Sequence, residues 1–162
     1  MERIISINEL LSLQQNYDIA IYEYLKNDLS IIEKDVHDNL KCNNGHSIYR
    51  ILLHSDNNIK KYFIDIVLMS AILGSERTVG SAKEILLSIK HCNWLQQSIL
   101  QKIDSIFQDN SIKKVDRYFV YRNASQLLYE LRLTSELQAF LEKYCKGSLD
   151  LDIQEVYEDF ME

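Results

Sequence analysis

The run Ile59-Lys60-Lys61-Tyr62-Phe63-Ile64-Asp65-Ile66-Val67-Leu68-Met69-Ser70-Ala71-Ile72-Leu73-Gly74 decides the fold class. Ile59, Tyr62, Phe63, Ile66, Val67, Met69 and Leu73 follow helical spacing. The stripe is wide, so this helix is expected at the centre of the core. Gly74 closes it. Asp65 and Ser70 interrupt the apolar stretch from Tyr62 to Leu73, which is too short to span a bilayer.

The same period continues on both sides. Ser6-Ile7-Asn8-Glu9 is a capping box, and Leu10, Leu11 and Leu13 after it predict a short helix from Asn8 to Gln15. Tyr22, Leu25, Leu29, Ile32, Val36 and Leu40 recur by threes and fours and predict a helix of about five turns. A second capping box, Ser30-Ile31-Ile32-Glu33, marks a break near Asn27-Asp28, and Gly45 reads as a left-handed stop. Ile48, Ile51 and Leu52 define a short helix, and Asp56-Asn57-Asn58 a turn and cap. Ser81-Ala82-Lys83-Glu84 is a capping box within or at the start of a helix carrying Ile85, Leu86 and Ile89. Asn93 opens the next helix, with Leu95, Ile99, Ile103 and Ile106. The stretch Ile112 to Arg132 follows, then a helix capped by Thr134 and stopped by Gly147, and a last one with Ile153, Val156, Tyr157 and Phe160.

The chain has 162 residues, no proline and only four glycines. An all-β fold marks its many turns with those two residues, so their scarcity excludes it. The expected architecture is a single all-α domain over 1–162, built from antiparallel helix hairpins. A pairing period of thirty-five to forty residues or so suggests a HEAT- or armadillo-like stack; the alternative is an irregular helical bundle. Three widely spaced cysteines, Cys42, Cys92 and Cys145, argue against a disulfide framework and for a reducing compartment. With no basic, apolar leader at Met1, the expectation is a cytoplasmic protein that is neither exported nor membrane-bound.

The net charge is −6 and unevenly spread. Residues 150–162 hold six acids and no Lys or Arg, a net −6. Residues 1–41 hold eight acids and four bases, a net −4. Residues 42–149 hold ten acids and fourteen bases, a net +4. The densest basic stretch, Lys113, Lys114, Arg117 and Arg122, contains Asp116 and reads as a solvated helix face, so no nucleic-acid partner is expected. The acidic C-terminus suits a basic protein partner, or is simply a solubilising last helix.

No G-x-S-x-G or P-loop occurs, and the acid pairs Glu33/Asp35 and Glu158/Asp159 look exposed, so no enzyme activity is expected. Cys42-x3-His46 and His91-Cys92 match no zinc spacing, so neither metal nor cofactor is expected. The candidate partner-binding residues are Tyr121 and Arg122, which break the apolar stripe of their helix, together with Asp152, Glu155, Glu158 and Asp159. Core packing with the hydroxyl reaching water is the competing reading for any tyrosine.

Tyr118-Phe119-Val120-Tyr121-Arg122-Asn123-Ala124, Leu127-Leu128-Tyr129-Glu130-Leu131 and Asp152 to Phe160 resemble the small helical immunity proteins of bacterial polymorphic-toxin and contact-dependent inhibition systems. The resemblance is one of size, acidity, Asn/Ile/Lys-rich style and helical layout, and it assigns no residue roles. It implies an inhibitor that binds a cognate toxin domain, often basic, and blocks its functional surface. The alternative is a helical adaptor that takes a peptide or protein in a groove.

Overall fold

The computed structural model describes residues 6–41, 45–108 and 116–161, and places ten helices and no strand among them. They are α1 (Ile7–Tyr24), α2 (Leu29–Lys41), α3 (Gly45–Leu53), α4 (Asn57–Tyr62), α5 (Ile64–Leu73), α6 (Glu76–Ser88), α7 (Asn93–Gln108), α8 (Arg117–Glu130), α9 (Thr134–Tyr144) and α10 (Leu151–Met161). The protein is all-α, as its sequence predicts. None of the described helices is long and apolar enough to cross a membrane.

Local signals explain several helix ends. The Ser6 hydroxyl accepts from the Glu9 backbone N–H at 3.2 Å and starts α1. The Asp56 carboxylate accepts from the N–H groups of Asn58 and Ile59, at 2.8 and 3.0 Å, and starts α4. Gly147, at φ 68°, ends the turn after α9 in the left-handed region where glycine carries no Cβ penalty.

The stripe around residue 67 lies at the centre, as expected. Val67, Leu68, Ala71 and Ile72 of α5 are fully buried, and the helix packs on α4, α6, α7 and α8. Full burial of one such aliphatic side chain stabilises the fold by about 2 kcal/mol. The helix does not start where the stripe does. Phe63, at φ −92° and ψ 9°, separates α4 from α5. Its N–H still donates to the Ile59 carbonyl and its carbonyl still accepts from Val67, so the break leaves the apolar pattern intact and invisible in sequence.

Two other boundaries correct the sequence reading, and Ser81 takes the first of its two alternatives. Helix α1 runs on to Tyr24, so Tyr22 belongs to it and not to the helix carrying Ile32 and Val36. Gly45 opens α3 instead of stopping a helix: it is buried, and a Cβ there would stand 3.0 Å from the Thr78 side chain. Ser81 lies inside α6, where its hydroxyl bonds His46 Nδ1 at 2.7 Å and fastens α3 to α6. Cys42 and the stretch 109–115 lie outside the described residues.

The principal contacts join helices no more than three places apart in the chain, the short-range order of stacked hairpins. The helices do not keep repeat-like roles, however. Helix α5 packs on both α7 and α8, α3 packs on α6, and α8 packs on α5, α6, α9 and α10. The architecture is an irregular helical bundle around one core running from Ile32 to Val156.

Helix α1 stands apart from this core. Ile21 is its one buried residue, while Ile7, Leu10, Leu11, Leu13 and Tyr17 are exposed. Its lower end is held where the Tyr24 hydroxyl donates to Asp35 at 3.1 Å. Burial, then that bond, pushes the Tyr24 pKa up to about 12.

Candidate functional site

Two glycines shape a large groove between α6 and α8. Glu76, Val79, Gly80, Lys83, Glu84 and Leu87 repeat at three- and four-residue steps along one face of α6. Asp116, Phe119, Asn123, Gln126 and Glu130 repeat in the same way along α8. The two faces look across the end of α5 and enclose a groove of about 1030 Å³. A volume of this size falls at the top of the usual range for ligand pockets. Asn123 secures the floor, its side-chain amide donating to the Ile72 carbonyl at 3.2 Å.

Gly74 sets the approach of α5 to α6. A Cβ there would lie 2.3 Å from the Ser70 carbonyl oxygen and 2.5 Å from the Thr78 hydroxyl. Gly80 keeps the groove open: a Cβ there would meet nothing within 4 Å. A mid-helix glycine costs about 1 kcal/mol relative to alanine. Gly80→Ala is therefore expected to stabilise the protein by about that amount. A thermal melt checks it, and unchanged or lowered stability would mean the space above Gly80 is not free.

The chemistry of the groove is divided. Its floor is apolar, with Ile72, Val79 and Val120 buried beneath the exposed side chains of Leu73 and Phe119, the latter 64% exposed. Its rim is acidic: Glu76, Glu84 and Asp116 are exposed and Glu130 is half-buried. The Glu130 carboxylate accepts from the Gln126 amide at 2.7 Å. Among the described residues that line the groove one is a cation, Lys83, which is only 6% exposed. Among the described residues it has no hydrogen-bond or ion-pair partner. Burial lowers its pKa from the usual lysine range, and the nearby charge of Glu130 opposes that shift.

The sequence-derived candidates lie elsewhere. The Tyr121 ring meets Phe107 edge-on at 4.8 Å and also contacts Phe140, so it packs against the core. Arg122 donates to Asp159 at 2.5 Å and to the Tyr118 hydroxyl at 2.8 Å, fastening α8 to α10. Asp159 is thus engaged within the fold. Asp152, Glu155 and Glu158 are exposed on α10, with Glu158 accepting from Gln154 at 3.1 Å. These residues do not converge with the groove rim; the structure joins Arg122 to Asp159 and leaves the other α10 acids facing solvent.

Little else gathers chemistry. His46 and Ser81 make a close pair, but Ser81 is buried and no carboxylate hydrogen-bonds either residue among those described. Burial pushes the Cys145 thiol up to about 12, which leaves it protonated and unreactive. No group of three or more His, Cys, Asp or Glu side chains among the described residues is placed to hold a metal ion. No family model, no curated protein and no solved structure matches the chain.

Proposed function

We propose that the protein binds a basic, amphipathic segment of a partner protein in the α6/α8 groove and acts as a stoichiometric inhibitor of that partner. The observation that carries this reading is the division of the groove into an apolar floor and a rim of four carboxylates. An amphipathic helix or extended segment presents the complement: apolar anchors along one side, Lys and Arg flanking them. Complementary fields of this kind speed encounter and select the partner.

The acids of α10 extend the same preference. Asp152, Glu155 and Glu158 face solvent beyond the groove and add to the field that a basic protein meets on approach. Helix α1 also exposes apolar side chains, but none of them lines the groove. The groove is the stronger candidate because it can desolvate its occupant from several sides.

In a toxin–immunity setting, the occupant belongs to the basic cleft region of a cognate toxin domain, and binding blocks that surface. A regulatory adaptor would use the same groove with modest affinity and without silencing its partner. Co-expression with a toxin domain encoded immediately upstream separates the two. Rescue of the cells by the wild-type chain, lost when Gly80→Trp fills the groove, is the expected result. Toxicity unchanged by the wild-type chain would contradict the inhibitor reading.

A further inference from the structure

Helix α1 carries an apolar surface that the bundle leaves uncovered. Every residue from Leu10 to Ala20, about three turns of helix, is exposed. Nine of the seventeen exposed large hydrophobic side chains among the described residues fall between Ile7 and Ile31, so they form a patch and are not scattered singly. Ile7, Leu10, Leu11, Leu13 and Tyr17 lie on the broad face of α1 that also holds Ile21. Ile21 is buried, so the face that meets the core at one end of α1 continues uncovered to the other. Helices shorter than about 12–15 residues are marginal in water by themselves and owe their stability to packing of such a face.

Charge and area decide what covers it. The groove offers a basic partner four carboxylates. From Leu10 to Ala20 Asp18 is the one charged residue, so a basic partner has little to read there. A second copy of the chain brings the same near-neutral stripe. The five side chains are 41–66% exposed. At about 100 Å² each, two copies together would bury about 1,000 Å², the floor for a specific interface and enough for a weak dimer.

We infer that the exposed turns of α1 pair with those of a second copy, antiparallel and about a twofold axis near Gln14, forming a weak homodimer. The antiparallel sense follows from Asp18, which borders the same face: parallel pairing would set the two carboxylates side by side. Antiparallel about Gln14, they stand about 12 Å apart along the helices, beyond the screening length of about 8–10 Å. The same axis sets each Gln14 amide beside its mate, and an amide both donates and accepts. A polar pair within an apolar seam fixes register at some cost in stability. Such an isologous contact closes at two copies. No α1 residue lines the α6/α8 groove, so the dimer and the peptide-binding reading stand or fall separately.

Sedimentation equilibrium from about 5 to about 500 µM covers the affinity that this area supports. The wild type is expected to pass from monomer to dimer with a Kd of about 10–100 µM and no larger species. Leu10→Glu combined with Leu13→Glu puts four carboxylates into one small interface and should weaken the dimer more than about tenfold. Both positions are exposed, so the monomer keeps its fold, which far-UV circular dichroism at low concentration verifies. Leu149→Glu combined with Leu151→Glu makes the same chemical change at leucines that are also exposed, and should leave the Kd unchanged. A wild type that stays monomeric at the highest concentration would overturn the inference. So would an α1 double variant that dimerises like the wild type, an equal weakening by the Leu149/Leu151 pair, or association that runs on past two copies.

Discussion

Gly74→Ala is expected to destabilise the protein by about 3 kcal/mol, a shift of roughly 6–12 °C in Tm for a chain of this size. The backbone dihedrals are not the cause, because φ −70° and ψ 169° suit any residue. The cause is space. The new methyl would stand 2.3 Å from the Ser70 carbonyl, which also accepts the Gly74 N–H at 3.1 Å. Moving that oxygen weakens the last hydrogen bond of α5 and separates α5 from α6, the two helices that pack most extensively on each other. The Thr78 hydroxyl, 2.5 Å from the same point, would lose its bonds to Ser75. Gly80, on the same groove wall, gives the opposite sign for the same substitution. Thermal unfolding of the two single variants measures that contrast directly, and a stable Gly74→Ala protein would show that the α5–α6 approach is looser than described.

Reversing the rim is the second large effect. Glu76→Lys, Glu84→Lys and Glu130→Lys together turn a groove of four carboxylates and one ammonium into one with a single remaining acid, Asp116. Single exposed ion pairs are worth little, about 0.2–1 kcal/mol each. The triple change both removes three attractions and installs three repulsions, so about 3 kcal/mol of binding to a basic peptide is expected to vanish at low salt, a factor of roughly 100 or more. Most of the loss should appear in the association rate and shrink as salt screens the rim. The fold should survive, because Glu76 and Glu84 are exposed and Glu130 is half-buried. Binding unchanged by this triple reversal would place the basic partner elsewhere, with the α10 acids the next surface to test.

The helical class is legible in the sequence because caps and stripes agree locally. Ser6 with Glu9, and Asp56 with the N–H groups after it, act as their residue types imply. Boundaries set by packing are not legible. Nothing in the apolar run announces the break at Phe63, since both flanking hydrogen bonds persist. Gly45 reads as a stop and instead admits a close approach to Thr78, a constraint that exists only after α3 and α6 meet.

The groove shows the same divide. Its carboxylates come from Glu76, Glu84, Asp116 and Glu130, all within the stretch 42–149 whose sum is +4, so counting charge by segment hides them. Helical spacing would have revealed more. Glu76 and Glu84 are eight residues apart, about 2.2 turns, and Asp116 and Glu130 fourteen, about 3.9 turns, so each pair falls within one broad face of about 100°. What no spacing shows is that these two faces confront each other across α5. Conversely, Tyr121 and Arg122 stand out in sequence because they interrupt a stripe, and the reason is internal: one packs on Phe107, the other ties α8 to Asp159 of α10.

Calorimetric titration of a Leu/Lys amphipathic peptide into the wild-type protein and into Gly80→Trp tests the central claim most directly. Gly80 has open space above it, so the indole is expected to enter the groove without disturbing the helices, which far-UV circular dichroism verifies. The account predicts saturable one-to-one binding to the wild type, none to Gly80→Trp, and none of an isosteric Leu/Glu peptide to either. Equal binding of the Leu/Lys peptide to both proteins, or no binding to the wild type, would contradict it.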